Sequence, residues 1–337
     1  MSFRNRLLGA LIPFLLAGCA PGSAAPPPPA PPSLAAAGGQ IRLWQDASIF
    51  DAVHALLGPA AAGEPVWVEM YEFGRTDLGL ALRTAWRHGA DVRVIVDRTV
   101  RQSARMADRL AAAGLPVRAY PVDDRRHQID HVKLLLAGAA ALVGGMNWGA
   151  TSAANHDYAF ETTSPRVVDR LRRIFEQDWA LAGGRPEPLG AEPGPVAQTT
   201  PGQEIRASLV GSIRLAHRAV QAEVFVLTDP EVIAELAGAR RRGARVRVLL
   251  DPNQDVNRPG SDLLRLAGVD VRWYPVPVGA RLHAKAALFD GRRLLLGSAN
   301  WSQGGLSVNH ELDLLSDDGA AAGAFARRFE QDWSAAG

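Results

Sequence analysis

Cysteine is almost absent from this chain of 337 residues: Cys19 is the only one, so no internal disulfide can staple the fold. Net charge is nearly absent as well. Thirty-seven Lys and Arg against 35 Asp and Glu leave a formal +2, too little to argue for nucleic acid or an anionic membrane as partner. The N-terminal apolar run, Leu7–Leu16, is too short to span a bilayer, and Pro13 interrupts it. No His/Cys/Asp cluster has the spacing of a metal site. The arginines are scattered and form no continuous basic track interleaved with aromatics, as a nuclease groove would need. What is there is 47% apolar and 21% charged, the composition of a globular protein with one large core or two of ordinary size.

The N-terminus reads as an export signal. Arg4 and Arg6 form its basic region, and Leu7–Leu16 its apolar one. It ends in Leu16-Ala17-Gly18-Cys19, which resembles a bacterial lipobox. On that reading residues 1–18 are removed and Cys19 becomes a lipidated first residue. Ala20 stands where an Asp would favour inner-membrane retention, so outer-membrane anchoring is the implied fate. Residues 21–39 are rich in Pro and Ala without a single charge, a semi-extended spacer within a 19–40 linker.

The body is a tandem repeat. Gly89, Gly114 and Phe175 each find their counterpart 154 residues on, at Gly243, Gly268 and Phe329, inside matching stretches such as Phe-Glu-Gln-Asp-Trp. Residues 41–182 and 204–337 are the two halves, with 183–203 as their Pro/Gly-rich connection. Each half alternates strand and helix. In the second, Thr228 or Asp229 caps a helix with Pro230 in its first turn, and Val246, Val248 and Leu250 alternate as a strand. This predicts an α/β fold of two similar halves. Each is expected to be a mixed, mainly parallel sheet flanked by helices, the two halves related by an approximate two-fold.

Chemistry concentrates in His283–Trp301. Side chains two apart on a strand share a face, so His283 and Lys285 point together, as do Ser298 and Asn300. An imidazole, an ammonium, a hydroxyl and an amide then converge, with Asp290 nearby. Such a set suits a phosphodiester: Lys and Asn hold its oxygens, and His attacks or carries protons. The first half repeats His131, Lys133 and Asn147, but Gly138 stands at the place of Asp290 and Gly145 at that of Ser298. Asn155-His156-Asp157 matches Asn309-His310-Glu311. His156 and His310 point the opposite way and are structural, and Trp148 and Trp301 belong to the core.

The spacing H-x-K-x4-D followed by G-S-x-N resembles the phospholipase D superfamily. The resemblance covers all of that pattern in the second half and only His, Lys and Asn in the first. It implies one site made by both halves of a monomer, with no cofactor and no metal. Lys133, Lys285, Asn147, Asn300 and Ser298 would hold phosphate. One His would form a phosphohistidine while the other protonates the leaving alcohol. Asp157 and Glu311 would orient the imidazoles, Asp157 with the shorter reach. Asp290 more plausibly orients backbone. Two readings of the altered half are open, a decayed repeat or one stripped of dispensable support. Three functions are open as well: a membrane-anchored phospholipid phosphodiesterase or phosphatidyltransferase of the bacterial envelope, outer membrane, periplasm or cell surface; a nuclease with the same chemistry; and an inactive phosphate-binding surface protein.

Overall fold

The computed structural model describes residues 39–184, 189–190, 192–199 and 203–336. The export signal, Cys19 and nearly all of the linker after it lie outside these residues.

The first half runs β1 (Ile41–Gln45), α1 (Ser48–Leu57), β2 (Pro65–Met70), α2 (Thr76–Arg87), β3 (Asp91–Val96), α3 (Arg101–Ala112), β4 (Val117–Ala119), β5 (Lys133–Ala137), β6 (Ala140–Gly144), β7 (Tyr158–Thr162) and α4 (Pro165–Leu181). The second runs β8 (Val196–Gln198), α5 (Glu204–Leu215), β9 (Ala219–Val224), α6 (Pro230–Arg241), β10 (Arg245–Leu250), α7 (Arg258–Leu266), β11 (Asp270–Trp273), β12 (Lys285–Phe289), β13 (Arg293–Gly297), α8 (Gln303–Ser307), β14 (Leu312–Ser316) and α9 (Gly319–Ala335). Each half forms one seven-stranded sheet, in the orders β1-β7-β6-β5-β2-β3-β4 and β11-β10-β9-β12-β13-β14-β8.

Both sheets are mixed, but their parallel part is smaller than the strand–helix alternation suggests. Among the named strands only β2–β3–β4 and β9–β10–β11 pair in parallel; all other pairings are antiparallel, and of these β5–β6 and β12–β13 are tight hairpins. The helical crossovers that enforce parallel pairing end before each His-x-Lys strand. A second difference concerns the connection between the halves. Val196–Gln198 is the strand β8, paired with β14, so part of the 183–203 stretch belongs to the second sheet.

The strands explain the layering. Leu134, Leu136 and Val143 point to one face and Leu135 and Leu142 to the other, as period two requires. The outer face packs on α1, α2 and α3 through Ile49, Val53, Leu78, Leu82 and Leu110. The inner face meets the second sheet in a shared central core, where Phe160 and Phe175 join Leu288, Leu296, Phe325 and Phe329. Trp148 and Trp301 are buried core residues, as expected. Asp229 caps α6, accepting from the backbone N–H of Glu231 (3.1 Å) and Val232 (3.2 Å), with Pro230 next to it.

The halves exchange backbone contacts reciprocally. The N–H of His131 donates to the carbonyl of His310, and that of His283 to His156, both at 2.8 Å. Each His-x-Lys segment is thereby bonded to the opposite half.

Candidate active site

Lys133 opens β5 opposite Met70, the last residue of β2, and Lys285 opens β12 opposite Val224, the last residue of β9. Both His-x-Lys pairs therefore sit at the carboxyl ends of the parallel strands, where open α/β sheets bind ligands. Two aspartates fix the approach. Asp97 accepts from the N–H of Asp130 (2.9 Å), and Asp251 from that of Leu282 (2.7 Å). The residue before each His is thus held by a carboxylate just after β3 or β10, the next strand but one in the sheet.

The acids cross between halves. His131 Nδ1 lies 2.8 Å from Glu311 Oε2, and His283 Nδ1 lies 2.7 Å from Asp157 Oδ2. Each imidazole of one half is backed by the carboxylate of the other. With Nδ1–H donating to the acid, Nε2 is the nitrogen left for chemistry. Asp157 reaches despite its short side chain, and Gly145 is the reason. A Cβ at Gly145 would meet Asp157 Oδ1 at 2.3 Å. In the second half Ser298 occupies that place and donates to Glu311 Oε2 (2.6 Å) while accepting from the N–H of Leu312 (2.9 Å). Gly with Asp, and Ser with Glu, are two matched ways of seating a carboxylate.

Both lysines join the cluster. Lys133 Nζ donates to the carbonyl of His131 (2.5 Å), and Lys285 Nζ lies 3.0 Å from Nδ1 and 3.2 Å from Nε2 of His283. All four basic groups are nearly or fully buried. Burial first, then the neighbouring Lys285, depresses His283 to about 3. Burial, Lys133 and Lys285 hold His131 well below its ordinary range. Burial likewise lowers Lys133 to about 7 and Lys285 to about 8. Burial lifts Glu311 to about 7 against the pull of Lys133. Crowded, dehydrated cations of this kind make a place for an anion, whose charge would reverse these shifts.

Asn147 and Asn300 complete the set. The Oδ1 atoms of both are buried without a hydrogen-bond partner, while Asn147 Nδ2 donates to Glu72 Oε2 (3.1 Å). Tyr71 stands edge-on to His131 with ring centroids 4.7 Å apart, and Phe225 lies 4.9 Å from His283. Glu72, Tyr71 and Phe225 were not singled out from the sequence. The aromatic pair carried a signal, since 71 and 225 differ by the same 154 residues as the rest of the repeat. Glu72 carried none, because its counterpart is Val226.

The family model of the cardiolipin synthase, PLD-like domain matches this chain twice, at residues 60–179 and 209–333. The chain belongs to the phospholipase D-like cardiolipin synthase domain family. Cardiolipin synthase A of Pseudomonas fluorescens is 28% identical over 283 residues, covering 74% of this chain and 58% of that protein. Mitochondrial cardiolipin hydrolase of Xenopus laevis is 36% identical over 120 residues, covering 35% of this chain and 56% of that protein. The chain spans about half the length of the curated relatives it matches. A phosphatidylserine synthase of Haemophilus influenzae shares the fold, with a TM-score of 0.70 at 13% identity over 90% of this chain and 87% of that one. A polyphosphate kinase of Porphyromonas gingivalis does so at a TM-score of 0.65 and 18% identity, over 91% of this chain and half of that one.

Asp290 stands away from the cluster, and Ser298 lies behind it. Asp290 lies at the turn end of β12, five residues and roughly 16 Å from Lys285 along an extended strand. Its carboxylate accepts from the backbone N–H groups of His217 (3.2 Å), Arg218 (2.8 Å) and Ala219 (3.0 Å), tying the hairpin to the start of β9. These are backbone contacts, the kind expected of a residue that orients the chain. In the first half Gly138 has φ +52°, and a Cβ there would meet Glu64 Oε1 at 2.1 Å, so Glu64 fills that space. The Ser298 hydroxyl is fully buried and bonded to Glu311 and to the N–H of Leu312, the contacts of a group that seats an acid.

Behind each catalytic-type His lies the second His of the repeat. His156 is held by Asp46 (2.6 Å) and Glu223 (2.9 Å), His310 by Asp178 (3.0 Å), and each ring stacks on a tyrosine, Tyr274 or Tyr120. Burial opposes their charge, but the carboxylates prevail and raise His156 to about 10 and His310 to about 9. They are buried imidazolium clamps between the halves. The triads Glu69/Asp178/His310 and His156/Glu223/Asp332 have metal-ligand spacing among the described residues. In the second triad Arg328 already supplies the cation, bonding Asp332 at 2.7 Å and Asp46 at 2.8 Å. Among the described residues, no helix is long and apolar enough to cross a membrane.

Proposed function

We propose that this chain is a membrane-anchored phosphodiesterase or phosphatidyltransferase acting on phospholipids through a phosphohistidine intermediate. The observation that carries the proposal is the reciprocal pairing of two imidazoles with carboxylates of the opposite half, around two buried lysines. The names of the relatives, cardiolipin hydrolase and cardiolipin synthase, supply the substrate class.

The chemistry follows from the groups in place. Nε2 of one His attacks phosphorus, and the bond from phosphorus to the leaving alcohol breaks. The other His, protonated, gives its proton to that alcohol. Water or a second alcohol then attacks phosphorus, passes its proton to this imidazole, and the P–N bond breaks. Lys133, Lys285 and the Nδ2 groups of Asn147 and Asn300 offset charge on the phosphoryl oxygens. Asp157 and Glu311 stabilise whichever imidazolium forms at each stage.

The test uses purified protein with EDTA against mixed liposomes and plasmid DNA in parallel. Release of headgroup or phosphatidic acid, undiminished by EDTA and lost in His283→Ala, is the expected result. DNA cleavage without activity on any phospholipid class would replace this reading by the nuclease. The anchor is tested separately: Cys19→Ser is expected to move the protein from the membrane to the soluble fraction or leave it unprocessed.

A further inference from the structure

Six large apolar side chains stand exposed among the described residues, and four of them fall within one short stretch of the second half. Val256 is 56% exposed, Leu263 58%, Leu266 86% and Val278 fully so. The internal repeat provides a control. For Val256, Leu263 and Leu266 the counterparts 154 residues earlier are Gln102, Arg109 and Ala112; Val278 lies where the offset shortens from 154 to 152 and has no fixed counterpart. The same positions of the same fold are polar or small in one half and aliphatic in the other. Folding of the repeat therefore does not require aliphatic side chains there.

The stretch borders the candidate site. Val256 precedes Asn257, whose Oδ1 accepts from the N–H of Leu227 (2.8 Å) and whose Nδ2 donates to the carbonyl of Phe225 (2.9 Å). Phe225 is the ring against His283, and the Arg281 guanidinium lies 5.9 Å from its centroid. Val278 is at the tip of the loop that leads through Arg281 into His283. Along α7, which begins directly after Asn257, Pro259, Leu263 and Leu266 are exposed at spacings of four and three while Leu264 points inward. The nine-residue helix is about 14 Å long. Trp273 lies half-buried beneath it, with the guanidinium groups of Arg258 and Arg265 over its ring at 5.7 and 5.6 Å.

We infer that this face is where the protein docks on a lipid bilayer, delivering the mouth to its substrate. The inference rests on the phospholipid reading of the site. Area argues against a protein partner: four aliphatic side chains fall well short of the roughly 800 Å² per partner that a stable dimer buries. Their number suits shallow insertion into the boundary between headgroups and acyl chains, with the arginine stems extending along the apolar surface. Charge contributes little. Arg258 pairs with Asp255 at 3.0 Å, and Arg265 with Asp262 at 3.6 Å, so the helix face is close to neutral. Docking is therefore expected on zwitterionic as well as anionic vesicles, with weak dependence on salt.

The experiment uses the full chain carrying Cys19→Ser, so that no acyl chain attaches. Co-sedimentation with phosphatidylcholine vesicles is measured for this protein and for versions adding Leu263→Asp with Leu266→Asp, or Val256→Asp with Val278→Asp. All four positions are exposed, so unchanged melting temperatures are expected. The predicted result is at least a tenfold loss of vesicle partition in each double variant. Turnover on vesicles should fall in parallel, and turnover on a short-chain phospholipid below its micelle concentration should stay unchanged. Partition equal to that of the parent would overturn the inference, as would loss of a solution dimer without change in partition. Should the parent turn over neither substrate form, the catalytic reading fails, while the partition data still decide the face.

Discussion

Replacing Glu311 by glutamine removes one charge from the centre of the candidate site and turns the acceptor opposite Asn309 Nδ2 into a donor. The carboxylate is fully buried, accepts from His131 and Ser298 through Oε2, and accepts from Asn309 Nδ2 through Oε1 at 3.0 Å. Glutamine has the same shape and can still accept from His131, so the ring keeps its orientation. What it loses is the attraction for the imidazolium formed during turnover. A buried hydrogen bond to a charged group is worth about 1.5–3 kcal/mol, which converts to a roughly 10- to 150-fold fall in kcat. Stability should move the other way. Glu311 is raised from its ordinary 4.5 to about 7, so the folded state favours the protonated form and loses stability as pH rises through that window. At pH 8 glutamine removes a penalty on the order of 3 kcal/mol. The wild-type rate should also decline as pH falls below about 7, where Glu311 takes up a proton, and the variant should lose that limb. The assay pairs kcat on a soluble phosphodiester between pH 5.5 and 9 with melting temperature. A kcat at pH 8 within about twofold of wild type would refute the reasoning.

Three further outcomes are expected. His131→Ala should abolish turnover as fully as His283→Ala, because both imidazoles share one cluster; full activity in His131→Ala would mark the first half as decayed. Gly145→Ser should cut turnover by at least tenfold, since its Cβ would displace the Asp157 carboxylate that backs His283, whereas Gly138→Asp should lower the melting temperature with little effect on kcat, because it collides with Glu64 far from the cluster. His310 and His156 are raised to about 9 and about 10, so their contribution to stability is complete below about pH 6.5 and is lost as pH rises through those values. Melting temperatures taken from pH 7 to 10.5 should fall more steeply in wild type than in His310→Gln.

Much of this was legible in the sequence, and the exceptions have physical causes. The constant offset of 154 residues revealed the two repeats, and both His-x-Lys pairs lie at the carboxyl ends of the parallel strands. A further compositional signal was available. Lys133 and Lys285 are the only lysines among 37 basic residues, and both lie in the cluster. The crossing of Asp157 and Glu311 was not legible, because packing between two sheets decides which carboxylate meets which ring. What Asp290 and Ser298 touch was not legible for a related reason. A motif records which residues occur together and is silent on whether each faces ligand or backbone. The antiparallel members β7 and β14 were missed because both faces are covered, which removes the alternation that marks a half-buried strand.

The matched seats of the two carboxylates give the duplication a direction. One imidazole leans on an acid with two methylenes, steadied by a serine hydroxyl. The other leans on an acid with one, lowered into the hollow above a glycine. Two copies that began as equals can therefore no longer trade places, and a substrate entering between them meets a left hand and a right hand.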